Sequence, residues 1–200
     1  MNRIINITLA GLLLIGCSAT PEQLNRKEYV KWMTNPANGL IVNKAIDQYQ
    51  LEVQYRPSTL IALQENYTIS AENLKERSKI LDNSLNFNFK IKANNPALKV
   101  MDIGNQTEQD YFLKLDYFTN GIQQDLKLID GTDTLNCMFS VFERTYDLAP
   151  YVTFNLAFEN TVSIQNDQTI YFDGSKLGLG PVYLNISKEK IKNIPTLILN

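Results

Sequence analysis

Between positions 85 and 93 the sequence alternates strictly between apolar and polar residues, and this pattern sets the fold class more firmly than any other. The odd positions are apolar: Leu85, Phe87, Phe89, Ile91 and Ala93. The even positions are Asn or Lys. Successive side chains of an extended strand point to opposite faces, so the pattern predicts a strand with one buried and one solvated face. Such strands are typical of antiparallel sheets.

The same alternation recurs at 49–55 and 152–158, and further extended segments are separated by turn residues. We predict strands at 40–46, 49–55, 85–93, 126–129, 135–142, 152–158, 169–172, 182–186 and 197–199. Helices are predicted at 20–34 with Thr20 as N-cap, at 59–64, at 70–83, and briefly after Ser187. The apolar residues of 111–118 fit the spacing of a helix and that of a strand equally well. The pattern favours an α+β to mainly β class, an antiparallel β-sandwich-like domain whose few short helices lie mostly in the N-terminal half.

The N-terminus has the organisation of an export signal. Arg3 precedes an apolar stretch at 4–15, which is too short to cross a bilayer comfortably but suits the apolar region of a signal peptide. The tetrapeptide Leu14-Ile15-Gly16-Cys17 follows directly. It resembles the lipobox of bacterial lipoprotein precursors, and beyond it the chain is similar only to uncharacterised small envelope lipoproteins.

The resemblance implies cleavage after Gly16 and attachment of a diacylglycerol to Cys17, usually with acylation of the new amine, for example with palmitate. Two or three acyl chains anchor a protein stably, since each buried methylene contributes about 0.8 kcal/mol. Ser18 resembles lipoproteins that are sent on to the outer membrane. We therefore expect a signal peptide at 1–16, a lipid anchor and very short spacer at 17–19, and a single globular domain at 20–200 in the cell envelope.

The chain contains no histidine, which excludes several kinds of site. A Ser-His-Asp or Cys-His catalytic unit and a His-ligated zinc or haem site all require this residue. If Cys17 carries lipid, Cys137 has no disulfide partner, and we expect it to be a small core residue. No cofactor is predicted. The basic residues number 19 and only Arg3 precedes Cys17, which leaves 18 against 21 acids without a basic cluster for nucleic acid.

Three short motifs have simpler structural interpretations. Ser187-Lys188-Glu189-Lys190 matches the S-x-x-K of penicillin-binding enzymes by letters, but a serine N-cap explains it and the companion motifs are missing. The glycines of Gly178-Leu179-Gly180 precede a predicted strand rather than a phosphate-binding helix, and so indicate a turn. The segment 130–133 reads as a hairpin turn, although its carboxylates could also face Ca²⁺.

The segment from Glu143 to Tyr151 is the most distinctive mixture of polar and aromatic residues between two strands. Arg144, Tyr146 and Tyr151 are residue types enriched at binding surfaces. An internal Glu–Arg pair and core tyrosines would explain the same residues. We single out Glu143, Arg144, Tyr146 and Tyr151 as a candidate binding loop and leave both interpretations open.

We expect a lipid-anchored, non-enzymatic accessory or scaffold subunit of an outer-membrane assembly, with the membrane and envelope proteins as partners. A surface glycan- or peptide-binding lipoprotein is the first alternative. A carboxylate-dependent hydrolase is the second, since a pair of acids is defined in space and no sequence pattern selects one.

Overall fold

An eight-stranded antiparallel sheet dominates the fold of the protein, and the predicted α+β to mainly β class is confirmed. A computed structural model describes residues 21–144, 149–160 and 164–199. The strands of this part of the chain are β1 (Gln23–Leu24), β2 (Ile41–Ile46), β3 (Tyr49–Tyr55), β4 (Ser84–Ala93), β5 (Leu126–Asp130), β6 (Asp133–Glu143), β7 (Tyr151–Glu159), β8 (Gln168–Asp173), β9 (Pro181–Ile186) and β10 (Thr196–Leu197).

The helices are short and surround the sheet. The α-helices are α1 (Arg26–Met33), α2 (Ser58–Glu65), α3 (Ala71–Leu81), α4 (Glu108–Asp116) and α5 (Lys188–Lys192). Turns of 3₁₀-helix lie at Pro36–Asn38, Val100–Asp102, Ile122–Asp125 and Gly174–Leu177, and a π-helical turn lies at Tyr117–Gly121. Apart from the pieces discussed below, the predicted strands and helices agree with these bounds to within a few residues.

The large sheet has the strand order β2-β3-β4-β7-β6-β5-β8-β9, and β6 is the strand that joins its two parts. The first residues of β6, from Asp133 to Asn136, pair with β5, whereas Cys137 to Glu143 pair with β7. A β-bulge between Cys137 and Phe139 marks the change, and bulges bend a strand. The two parts therefore face each other as in a sandwich, and β2 approaches β9 so that the sheet nearly closes.

The core fills the space between the two parts of the sheet. The odd positions of β4 point inward as predicted, and Phe89 meets Phe172 of β8 with 5.2 Å between ring centroids. Phe118 of the π-helical turn packs edge-on against Phe154 of β7 at 5.4 Å. All four rings are fully buried. The first contact links the two parts of the sheet, and the second packs the π-helical turn against β7.

The predicted helix at 20–34 is wrong at its start, and its predicted N-cap Thr20 lies outside the described residues. Gln23 and Leu24 form β1, which pairs in parallel with Thr196 and Leu197 of β10. The helix begins only at Arg26, because Asn25 Oδ1 accepts a hydrogen bond from the Glu28 amide at 3.1 Å and so acts as the N-cap. Pairing with the distant C-terminus therefore outweighs the local Thr-Pro helix signal.

The segment 111–118, whose apolar residues fit a helix or a strand, is helical. Thr107 and Asp110 form a capping box at the start of α4, where each accepts a hydrogen bond from the backbone of the other. The π-helical turn then follows directly and rotates Phe118 into the core. Turns of this kind occur frequently at functional sites.

Candidate functional site

The outward surface of β3, β4 and β7 forms a polar face. One cluster of charged residues on this face surrounds Glu52. The Glu52 carboxylate accepts hydrogen bonds from Lys90 Nζ at 3.1 Å and Lys92 Nζ at 2.6 Å. Burial alone would raise the pKa of Glu52, but the hydrogen bonds from Lys92 and Lys90 outweigh it and hold the pKa below its usual value. The three charges therefore satisfy one another across the strands.

A second cluster on the polar face is a set of hydrogen bonds around Arg56. Its Nη1 donates to Asn88 Oδ1 and Asn155 Oδ1, both at 2.9 Å, and its Nη2 donates to Gln64 Oε1 at 2.5 Å. Asn155 in turn donates to Glu143 Oε1 at 2.6 Å. Burial lowers the pKa of Arg56, but arginine stays charged at any physiological pH. The guanidinium group of Arg56, the residue after β3, bonds to β4, β7 and α2, which is a structural role.

The structure brings two of the four predicted binding-loop residues to this face. Glu143 contacts Asn155 as described, and the ring of Tyr151 lies 5.0 Å from Lys90 Nζ in a cation–π contact. Arg144 follows β6 and is exposed, while Tyr146 lies outside the described residues. Because internal contacts engage Glu143 and Tyr151, the binding role of this loop stays a prediction.

Beside the polar face, β6 presents an exposed apolar surface, which we call the β6 strip: Met138, Phe139 and Val141. Phe139 is 65% exposed and Val141 59% exposed, although both are large apolar residues. Pairing with β5 ends at Asn136, and within the described ranges no strand continues the sheet beside Phe139 and Val141 on the side opposite β7. Gln123 Nε2 donates to the carbonyl oxygens of Cys137 and Met138 at 3.1 and 2.9 Å and covers the start of this edge. The strip therefore combines exposed apolar side chains with a strand edge that no described strand pairs beyond Met138.

The sequence contains a signal for the β6 strip that the strand prediction overlooked. The run from Cys137 to Phe142 has apolar residues at both odd and even positions. Cys137 is buried and the half-buried Phe142 packs against the core, which the bulge makes compatible with their odd spacing. The remaining apolar residues of the run must then face solvent or a partner.

A cleft of about 590 Å³ lies beneath the π-helical turn. Tyr117 donates from its hydroxyl to Asp125 Oδ2 at 2.8 Å, and burial raises the pKa of Tyr117 far above its usual value, with the hydrogen bond to Asp125 adding to the shift. Lys114 Nζ donates to the carbonyl oxygens of Met101 and Ile103. Both groups are thus committed to internal partners and hold the wall of the cleft together.

A larger groove of about 860 Å³ lies between α3 and the C-terminal residues 191–199, and we call it the α3 groove. Tyr29 and Tyr55 form part of its floor, and burial raises the pKa of Tyr55 to about 12. Ser78 also lines the groove, and its Oγ is buried without a hydrogen-bond partner in the described part of the chain. A buried hydroxyl in this state is uncommon.

The short motifs have structural roles. Ser187 caps α5 by accepting a hydrogen bond from the Glu189 amide at 3.3 Å, and Gly178 takes a left-handed conformation in a turn. The hairpin at Asp130 is confirmed, and Asn166 Nδ2 donates to Asp130 Oδ1 at 2.9 Å. Cys137 is buried, and burial raises the pKa of its thiol to about 11. Among the described residues no three His, Cys, Asp or Glu side chains gather as metal ligands.

The candidate anchor residues Leu14, Ile15, Gly16 and Cys17 lie outside the described ranges. In residues 21–144, 149–160 and 164–199, no helix has the length and apolar character needed to span a bilayer. No family model, no curated protein and no solved structure matches the chain. Its function must therefore be inferred from its own residues.

Proposed function

We propose that this protein is a lipid-anchored accessory or scaffold subunit of an outer-membrane assembly, and that it works by docking a partner protein rather than by catalysis. The anchor is supported by the tetrapeptide at 14–17, which follows an apolar stretch of signal-peptide length. Gln23, the first residue of β1, comes only six positions after Cys17. Such a short spacer keeps the domain close to the membrane surface.

The observation that carries the docking role is the β6 strip. Exposed apolar side chains that lie together on a soluble domain mark surfaces that a partner covers. Beyond Met138 no strand of the described ranges pairs with this edge of β6, so an extended segment of the partner can add to it through main-chain hydrogen bonds. Phe139 and Val141 then supply the apolar contact beside that added strand.

The polar face gives less support to glycan binding. A glycan platform needs exposed aromatic rings, and the ring of Tyr151 already receives Lys90. The charged groups at Glu52 and Arg56 have several internal hydrogen bonds each. The face therefore has the features of a structural network more than those of a ligand surface.

The anchor is tested by mass spectrometry of the N-terminal peptide of protein produced in a Gram-negative host. We expect a peptide that begins at Cys17 and carries the mass of the acyl groups, and a Cys17→Ala variant that is absent from the lipidated fraction. An unmodified thiol at Cys17, or a different first residue, would refute the anchor.

Partner docking is tested by placing a photo-crosslinking amino acid at Val141 in native membranes. We expect one dominant crosslinked envelope protein, whose yield Phe139→Asp reduces strongly. Ile80→Asp is the matched control, since Ile80 is also apolar and 60% exposed but lies on α3. Equal yields from the two variants would rule out docking at β6.

A further inference from the structure

The α3 groove keeps apolar surface open to solvent at the C-terminal end of the chain. One wall consists of half-buried apolar residues of the last ten positions: Ile191, Ile194, Leu197 and Leu199. Leu74 of α3 and the tyrosines of the floor complete the apolar lining. A groove of about 860 Å³ with this lining has the chemistry to take a hydrocarbon chain.

We propose that the α3 groove is the docking site of one acyl chain that Cys17 carries, so that the protein shelters part of its own lipid when no bilayer is present. The inference rests on the proposed lipid anchor. It assigns that chain a second location, inside the fold, in addition to the membrane.

The position of β1 is the first argument for this occupant. β1 pairs with β10 so that Gln23 lies opposite Thr196, and Thr196 itself lines the groove. The Thr196 amide also donates to the Glu22 carbonyl oxygen at 2.9 Å. Cys17 precedes Gln23 by six residues, and an extended segment of that length spans about 20 Å at most. The modified sulfur is therefore tethered within reach of the groove.

The polar groups at the groove are the second argument. Ser78 lines the groove, and its Oγ is buried without a partner in the described part of the chain. A change of its side-chain rotamer would let the hydroxyl donate to an ester carbonyl oxygen of the attached glycerolipid. Lys75 and Lys79 also line the groove, one helical turn apart on α3. Long lysine stems cover apolar surface while their ammonium groups stay in water, which suits the rim of a lipid site.

The membrane and the groove then compete for the same chain. Each methylene that leaves water gains about 0.8 kcal/mol in either place, but a bilayer buries the whole chain whereas the groove is open to solvent and buries only part of it. The bilayer therefore takes the chain when it is present, and the groove takes it otherwise. We expect the docked form in detergent-free solution and the open form in vesicles.

The test uses the lipidated mature chain of the photo-crosslinking variant Ile194→benzoylphenylalanine. Ile80→benzoylphenylalanine is the control on the outer side of α3. Each protein is irradiated once in detergent-free buffer and once with vesicles of perdeuterated phosphatidylglycerol. Mass spectrometry then identifies what is crosslinked, and a mixture with ¹⁵N-labelled chain separates crosslinks within one molecule from those between two.

We expect position 194 to crosslink to the acyl-bearing N-terminal peptide of the same molecule in buffer, and to lose this product in vesicles. Position 80 should not crosslink to the N-terminal peptide. The inference is overturned if the two positions behave alike, if only copurified lipid is attached in buffer, or if the crosslinks join different molecules. An N-terminal peptide without acyl mass refutes the anchor instead, so the two failures are distinguishable.

Discussion

Phe89 and Phe172 stand on opposite parts of the sheet, and their ring centroids are 5.2 Å apart. Phe89 belongs to β4, which pairs with β3 and β7, whereas Phe172 belongs to β8, which pairs with β5 and β9. Within the described residues no backbone ladder joins β4 to β8. Their contact is therefore a pure side-chain link between the two parts of the sandwich.

Phe89→Ala is expected to destabilise the fold by about 3–5 kcal/mol, because it leaves a cavity where the two parts of the sheet meet. Chemical denaturation followed by circular dichroism measures this change. Phe139→Ala is the control, since the exposed ring of Phe139 should change the unfolding free energy by less than about 0.5 kcal/mol. Similar losses for both variants would contradict the proposed packing.

The Glu52 carboxylate is expected to make stability fall at acid pH. Hydrogen bonds from Lys92 and Lys90 hold its folded pKa below the unfolded value of about 4.3. The stabilisation is therefore complete above that unfolded value and is lost as the pH falls through the lower folded pKa. Glu52→Gln should cost about 1–2 kcal/mol at pH 7 and flatten this part of the pH profile.

Urea denaturation between pH 2.5 and 7 tests this prediction for Glu52. Glu65→Gln is the matched control, because Glu65 pairs with Arg77 at 2.7 Å but both side chains are more than 40% exposed. Exposed pairs contribute little. A larger effect at Glu65 than at Glu52 would show that the polar face does not hold its charges as described.

The strands with a period of two could be predicted from the sequence, because burial of one face leaves its trace at every second residue. Leu85 to Ala93 is the clearest case. The order of the strands could not be predicted in this way. Nothing near Asp133 shows that β6 changes partners, since that change depends on β5 and β7 and on the bulge before Phe139.

The candidate sites also differ in whether a local sequence pattern signals them. The signal for the β6 strip is local and lies in the run from Cys137 to Phe142. The α3 groove has no local signal, because its walls come from α3 and from residues near Thr196. The error at 20–34 has the same origin, since the pairing of Leu24 with Leu197 is not visible in the local sequence.

Two glycines with left-handed backbones form a matched pair for substitution. Gly131 and Gly104 have φ values of +62° and +76°, so alanine strains both by about 1–2 kcal/mol. At Gly131 the new Cβ would also meet a side-chain atom, Asn166 Nδ2, at 2.6 Å. Since Asn166 donates to Asp130, its displacement should cost about 1 kcal/mol more.

Thermal unfolding of Gly131→Ala and Gly104→Ala measures this difference. A methyl group at Gly104 would meet no atom of the described chain within 4 Å, so the Gly104 variant reports the backbone strain alone. An equal loss of stability in the two variants would mean that Asn166 moves aside without cost and does not stabilise the hairpin.

The thiols of the mature chain provide a test of both the core and the anchor. Burial raises the pKa of Cys137 to about 11, and only the thiolate reacts rapidly with disulfide reagents. Native protein at pH 8 should therefore react with dithionitrobenzoate very slowly, and unfolding in guanidinium should make the reaction rapid.

The number of thiols that react after unfolding then identifies the state of Cys17. The sequence contains two cysteines, and a thioether at Cys17 removes one of them from the titration. We expect one thiol per mature chain, which Cys137→Ser abolishes. Two thiols would mean that Cys17 is unmodified, whereas a rapid reaction of the native protein would mean that Cys137 is not shielded. Each result thus bears on a different part of the molecule, one on the membrane anchor and the other on the packing beneath β6.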